Sequence, residues 1–110
     1  MMKKAELCAA LAAGLLLSHV ARAECVLPPA PSKIPDGATA TEQEMIAAMQ
    51  TLKRYDGDVN VYLKCLEFEA KQNRLSKEEQ DRRHNEAVAK LEKIAAQFNE
   101  QVRIFKSKSG

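Results

Sequence analysis

Few residues in this 110-residue chain are spaced for chemistry, and the most suggestive run is Asp56-Gly57-Asp58-Val59-Asn60-Val61, followed by Glu67. Counted as a calcium loop, Asp56, Asp58, Asn60 and Glu67 stand at positions 1, 3, 5 and 12, with Leu63 at the apolar position 8. Oxygen donors at that spacing are what a hard cation needs. Val61 holds position 6, where the sharp turn of such a loop requires glycine. Calcium binding therefore ranks last among the functional readings that rest on residues, and no metal ligand set is assigned. The same run of poor helix formers makes a local kink near Gly57 unsurprising.

Other reactive types are scarce. His84 is the one histidine left when residues 1–23 are set aside, and with no cysteine to spare it falls short of the four N or S ligands of a structural zinc site. An imidazole suits a pH sensor, but a place at the edge of a helix seam, with the ring partly wet, fits the pattern better. Ser76 reads as a helix cap, and Ser107 and Ser109 fall in a tail. Cys25 and Cys65 lack the Cys-x-x-Cys spacing of a redox catalyst, which points to a structural bridge. No Ser-His-Asp or Cys-His grouping can be assembled. The chain reads as a non-enzyme with no catalytic residues and no cofactor.

The N-terminus sets the context. Lys3 and Lys4, the 11-residue apolar run Leu7–Leu17 and Ala21-Arg22-Ala23 form a secretory signal pattern, with cleavage expected after Ala23. The run is too short for a membrane span, so no stable anchor is expected once the signal is cut. Removing Lys3, Lys4, Arg22 and Glu6 from 17 basic and 15 acidic residues leaves 14 of each. The pI of about 8.5 thus belongs to the signal, and it gives no argument for nucleic acid. Cys8 leaves too, so an odd cysteine count becomes the single pair Cys25 and Cys65. In an oxidising compartment, here the periplasm, such a pair forms a disulfide. The Glu24 that precedes Cys25 argues against lipid modification, which requires a small residue there.

Three elements must position these residues. Residues 24–40 hold all four prolines and Asp36-Gly37, and so read as an extended, polyproline-like strap. Thr41 with Glu44 forms a capping box that opens a helix from about Glu42 to Asn73. Ser76 with Glu79 forms a second box, opening a helix from about Lys77 to Lys106 and leaving residues 107–110 as a frayed tail. Glu67–Lys71, Glu78–Arg82, Glu79–Arg83 and Glu86–Lys90 are i,i+4 pairs on solvated faces, each contributing about 0.2–0.5 kcal/mol.

The helices fit each other as an antiparallel hairpin turning near Leu75. Met45, Ala48, Leu52, Tyr55, Val59, Tyr62 and Leu66 then face Phe105, Val102, Phe98, Ala95, Leu91, Val88 and His84. Six of these seven pairs are apolar or aromatic on both sides, a coiled-coil-like seam. Cys65 lies 24 residues past Thr41, about 36 Å along a helix. The 16 steps from Cys25 to Thr41 span about 50 Å in polyproline geometry, so the strap can run back and join Cys25 to Cys65. Val26, Leu27 and Ile34 would then cover the stripe Val61, Cys65, Phe68. Gly57 is either the point of close strap approach or a tolerated glycine inside a helix. The fold class is all-α: a two-helix hairpin with a disulfide-linked Pro-rich strap.

The pattern Cys25-x-x-Pro28…Pro35-Asp36-Gly37-x-x-Ala40…Glu44-Met45…Tyr62-Leu63-x-Cys65-Leu66-Glu67 resembles a group of small exported proteins of Gram-negative bacteria that are functionally uncharacterised. It covers about Cys25 to Glu69; beyond that the second helix is generically charged and amphipathic. The resemblance implies a periplasmic location and the Cys25–Cys65 bridge, and carries over no catalytic or ligand residue.

The leading functional reading is a non-enzymatic periplasmic interaction or scaffold module that binds a protein partner or self-associates, a homodimer among the options. A holdase-type chaperone ranks second, with Met45, Met49 and Phe105 as an adaptable apolar patch. The bland use of that cluster is closure of the hairpin base by Ile34 and Ala38.

Overall fold

A computed structural model describes residues 24–109; the expected signal segment, residues 1–23, lies outside the described residues, as does Gly110. Among the described residues two helices make up the regular structure: α1, Glu42–Lys71, and α2, Lys77–Ser109. Among the described residues there is no strand, and the two helices pack on each other as a helical hairpin.

Each end of α1 is set by local chemistry. The Thr41 hydroxyl accepts from Glu44 N at 3.1 Å, and Glu44 Oε1 accepts from Thr41 N at 2.8 Å, completing the capping box. At the other end Asn73 takes a left-handed φ of 60°, with Asn73 N donating to Ala70 O and Arg74 N to Glu69 O. These two bonds form a Schellman motif with asparagine where glycine is usual. That stops α1 at Lys71, two residues before the expected end. The second box is half made: Ser76 Oγ accepts from Glu79 N, but the Glu79 carboxylate turns outward to Arg82 and Arg83. At the C-terminus α2 runs through Ser109, so residues 107–109 are helical rather than frayed. Lys108 holds that last turn: its Nζ donates to Ala40 O at 2.9 Å and lies 4.9 Å from the centre of the Phe105 ring.

The core is a continuous apolar strip in two clusters. Tyr55, Val59, Tyr62, Leu66, Ala87 and Ile94 form one; Met45, Phe98 and Ala40 form the other, flanked by Ala48, Val102 and Phe105. All seven seam positions expected on α1 point inward. On α2, Leu91, Phe98, Val102 and Phe105 do so too, but the row is shifted around the helix. His84 is exposed, and Ala87 and Ile94 are buried while Val88 and Ala95 are only partly so.

The shift has a cause in the N-terminal segment. Residues 24–41 contain neither helix nor strand, and Cys25, Leu27 and Ile34 pack on the interior clusters. The α2 helix must therefore cover two neighbours, α1 and this segment. Val26, Val61 and Phe68 remain 76%, 69% and 55% exposed, so the expected cover over the Val61–Phe68 stripe does not form. The close backbone approach is at Gly37, not Gly57. A Cβ on Gly37 would lie 2.0 Å from Gln101 O, whereas one on Gly57 meets nothing within 4 Å. Gly37 N also donates to Gln101 Oε1 at 2.7 Å, and the turn is closed by Thr39 N and Ala40 N donating to Asp36 O. Cys25 and Cys65 are joined with their Cα atoms 5.7 Å apart, tying the segment to α1 as well.

Candidate interaction face

Charged side chains stay at the surface: among the described residues no Asp, Glu, Lys, Arg or His is buried, and the buried titratable groups are the tyrosines Tyr55 and Tyr62. The would-be calcium ligands Asp56, Asp58, Asn60 and Glu67 all lie within the unbroken helix α1 and are exposed, with Asn60 Nδ2 donating to Asp56 O. Eleven residues of helix separate the first from the last by about 16 Å, so they share no coordination sphere. Among the described residues no group of three or more His, Cys, Asp or Glu is gathered to hold a metal. The helix also runs through Gly57 without interruption.

Charges on the two helices are managed differently. Along α2 most of them pair with one another: Lys77 with Asp81, Arg82 with Glu79 and Glu86, Arg83 with Glu79, Lys90 with Glu86, and Arg103 with Glu100. Hydrogen bonds from Arg82 and Arg83 hold the Glu79 carboxyl down at about 2, and bonds from Arg103 and Arg74 lower those of Glu100 and Glu69. Among the described residues no ion pair joins two residues of α1. The only one to reach that helix is Arg74–Glu69 at its end, where Arg74 also stands 5.6 Å from the Phe68 ring centre.

The patch expected at Met45, Met49 and Phe105 is split by the fold. Met45 is buried beneath Phe98, and Phe105 packs partly against the same cluster; Met49 and its neighbour Ile46 stay exposed. Closure of this end falls to Ile34 and Ala40, while Ala38 is exposed. An open groove of about 600 Å³ runs between the N-terminal segment and α2, lined by Pro31, Ile34, Pro35, Asp36, Gln97 and Gln101. It contains one carboxylate and no partner group for acid–base work.

The Tyr55 hydroxyl is the single buried side-chain polar atom without a hydrogen-bond partner among the described residues, and burial pushes its pKa up. The most exposed large apolar residues are Val61 and Phe68, on the side of α1 away from α2, and Val26, next to the disulfide cysteine Cys25. Sequence reasoning missed that this group stands open. Its signal was a second apolar row, Val61 and Phe68, seven apart and out of phase with Val59 and Leu66. No helix among the described residues is long and apolar enough to cross a membrane. No family model, curated protein or solved structure matches the chain.

Proposed function

We propose that the chain is a non-enzymatic, exported interaction module of the periplasm. In this reading it is an antiparallel two-helix hairpin braced by a Pro-rich strap, and it offers the outer face of α1 to a protein. One observation carries it: exposed apolar residues and unpaired charges share one face of α1, while most of the charges of α2 pair with one another along their own helix. A face left in that state gains from a partner, whereas self-paired charges gain little. The signal pattern of residues 1–23, the Cys25–Cys65 bridge and the resemblance over Cys25–Glu69 support export. A photo-crosslinking residue placed at Val61 in the full-length protein is expected to capture a protein in intact cells, and one at Lys93 on α2 to capture none. Equal capture at the two positions, or none at Val61, would overturn the reading.

A holdase role is the alternative, and it rests on Ile46 and Met49, the exposed part of the methionine cluster. Met49→Glu should abolish suppression of client aggregation if that surface is used; unchanged suppression excludes it.

A further inference from the structure

The outer face of α1 has a two-fold pattern. At 100° per residue, Arg54, Gly57, Asp58, Val61, Lys64 and Phe68 fall within about 60° of Val61 around the helix, while the buried row Tyr55, Val59, Tyr62, Leu66 lies about 100–160° away. Asp58 and Lys64 are exposed and, among the described residues, in no ion pair. Six residues apart, they are not neighbours on their own helix, where pairs form at three or four. Reflected through Val61, however, the row complements itself. If residue i lies level with residue 122 minus i of a second helix running the other way, Asp58 comes level with Lys64, diagonally across the contact and within reach of the long lysine side chain, Arg54 with Phe68 and Val61 with Val61, each contact but the last occurring twice.

Shape agrees with charge. The Cys25–Cys65 bridge and the exposed Val26 stand out from α1 at position 65, and the same relation sets that position opposite Gly57. Gly57 is the one place on this face with no side chain, and nothing lies within 4 Å of where its Cβ would be. A helix-interior glycine is unfavourable relative to alanine, and here the space it leaves would accept the bulge of a second copy. Arg54 over the Phe68 ring adds a cation–π contact of the kind Arg74 already makes with the same residue.

We propose that the partner of this face is a second copy of the same chain, docked isologously with α1 against α1 and the two-fold axis passing at Val61. This rests on the interaction-module reading above. In an isologous contact every substitution acts twice, which sharpens the test.

The experiment is sedimentation equilibrium of the disulfide-intact protein without its signal segment, with melting followed by circular dichroism as the control for folding. The parent protein should dimerise at micromolar concentration. Val61→Glu should give a folded monomer. Gly57→Leu should raise the melting temperature, because leucine is the better helix former, and still lose the dimer. Asp58→Lys should weaken association at least about tenfold, and the exchange Asp58→Lys with Lys64→Asp should restore it to within about threefold, as expected when a charge pair sets the register. A parent protein that stays monomeric to 100 µM overturns the proposal, as does a dimer indifferent to Val61→Glu and Gly57→Leu. A monomer that is nonetheless crosslinked to another protein from Val61 overturns it while leaving the interaction-module reading intact.

Discussion

Gly37 and Tyr55 show single residues answering to neighbours far away in sequence. Gly37 lies against the α2 backbone, so a methyl group there collides with a carbonyl rather than with a movable side chain. Gly37→Ala should cost about 1–3 kcal/mol, as overpacking does, and lower the melting temperature of the disulfide-bonded protein. Tyr55 is 3% exposed and its hydroxyl has no hydrogen-bond partner. Removing a buried, unpaired polar atom while keeping the ring relieves its desolvation cost. Tyr55→Phe should therefore gain about 1 kcal/mol in a urea titration, and a loss of that size would contradict the unpaired geometry. Neither role was open to inspection of the sequence. Asp36-Gly37 reads as a turn whatever lies beside it, and a tyrosine in an apolar row gives no sign of where its hydroxyl ends.

The elements were the most legible level, because helix ends are decided by side chains within four residues of each other. Thr41 with Glu44 and Ser76 with Glu79 marked both starts, and the three–four spacing of Met45 through Leu66 marked the buried row of α1. The α2 row was harder. Val88 and Ala95 sit at the same heptad spacing as Ala87 and Ile94, and only a third packed segment decides between two adjacent registers. The end of α1 was also misplaced, since asparagine advertises a left-handed residue less clearly than glycine. Asn73→Val should cost about 1–2 kcal/mol because a branched side chain strains that conformation, while Asn73→Gly should cost nothing; chemical denaturation distinguishes them. Acid will act through the start of α2. The Glu79 carboxyl titrates at about 2 in the folded protein against 4.5 ordinarily, so its stabilising effect is complete above pH 4.5 and is lost as the pH falls towards 2. Replacing Glu79 with Gln should flatten the acid limb of the stability profile over that range, and salt should shrink the difference because the group is exposed.

At the scale of the whole molecule, the disulfide and the docked N-terminal segment make a third layer on a hairpin of modest core. The bridge closes 41 residues, which contributes roughly 4 kcal/mol in the chain-entropy estimate. Replacing Cys25 and Cys65 together with serine should lower stability by about that much, and amide exchange should rise first in residues 24–40. The pairing was legible because no other partner existed outside residues 1–23. The surface under the segment was not, because reach along a helix says nothing about which side is followed. The layer also has a timetable. Gly37 binds a residue 64 positions later and Ala40 one 68 positions later, whereas Cys65 follows Cys25 by only 40. At about 5–20 residues per second, a nascent chain contains Cys65 roughly 2–7 s before Gln101 has been made. During that interval Leu27 and Ile34 have no α2 to cover them. A bridge to α1 formed before α2 docks would hold this apolar stretch beside its eventual seat, a covalent leash on a segment whose binding site is not yet assembled.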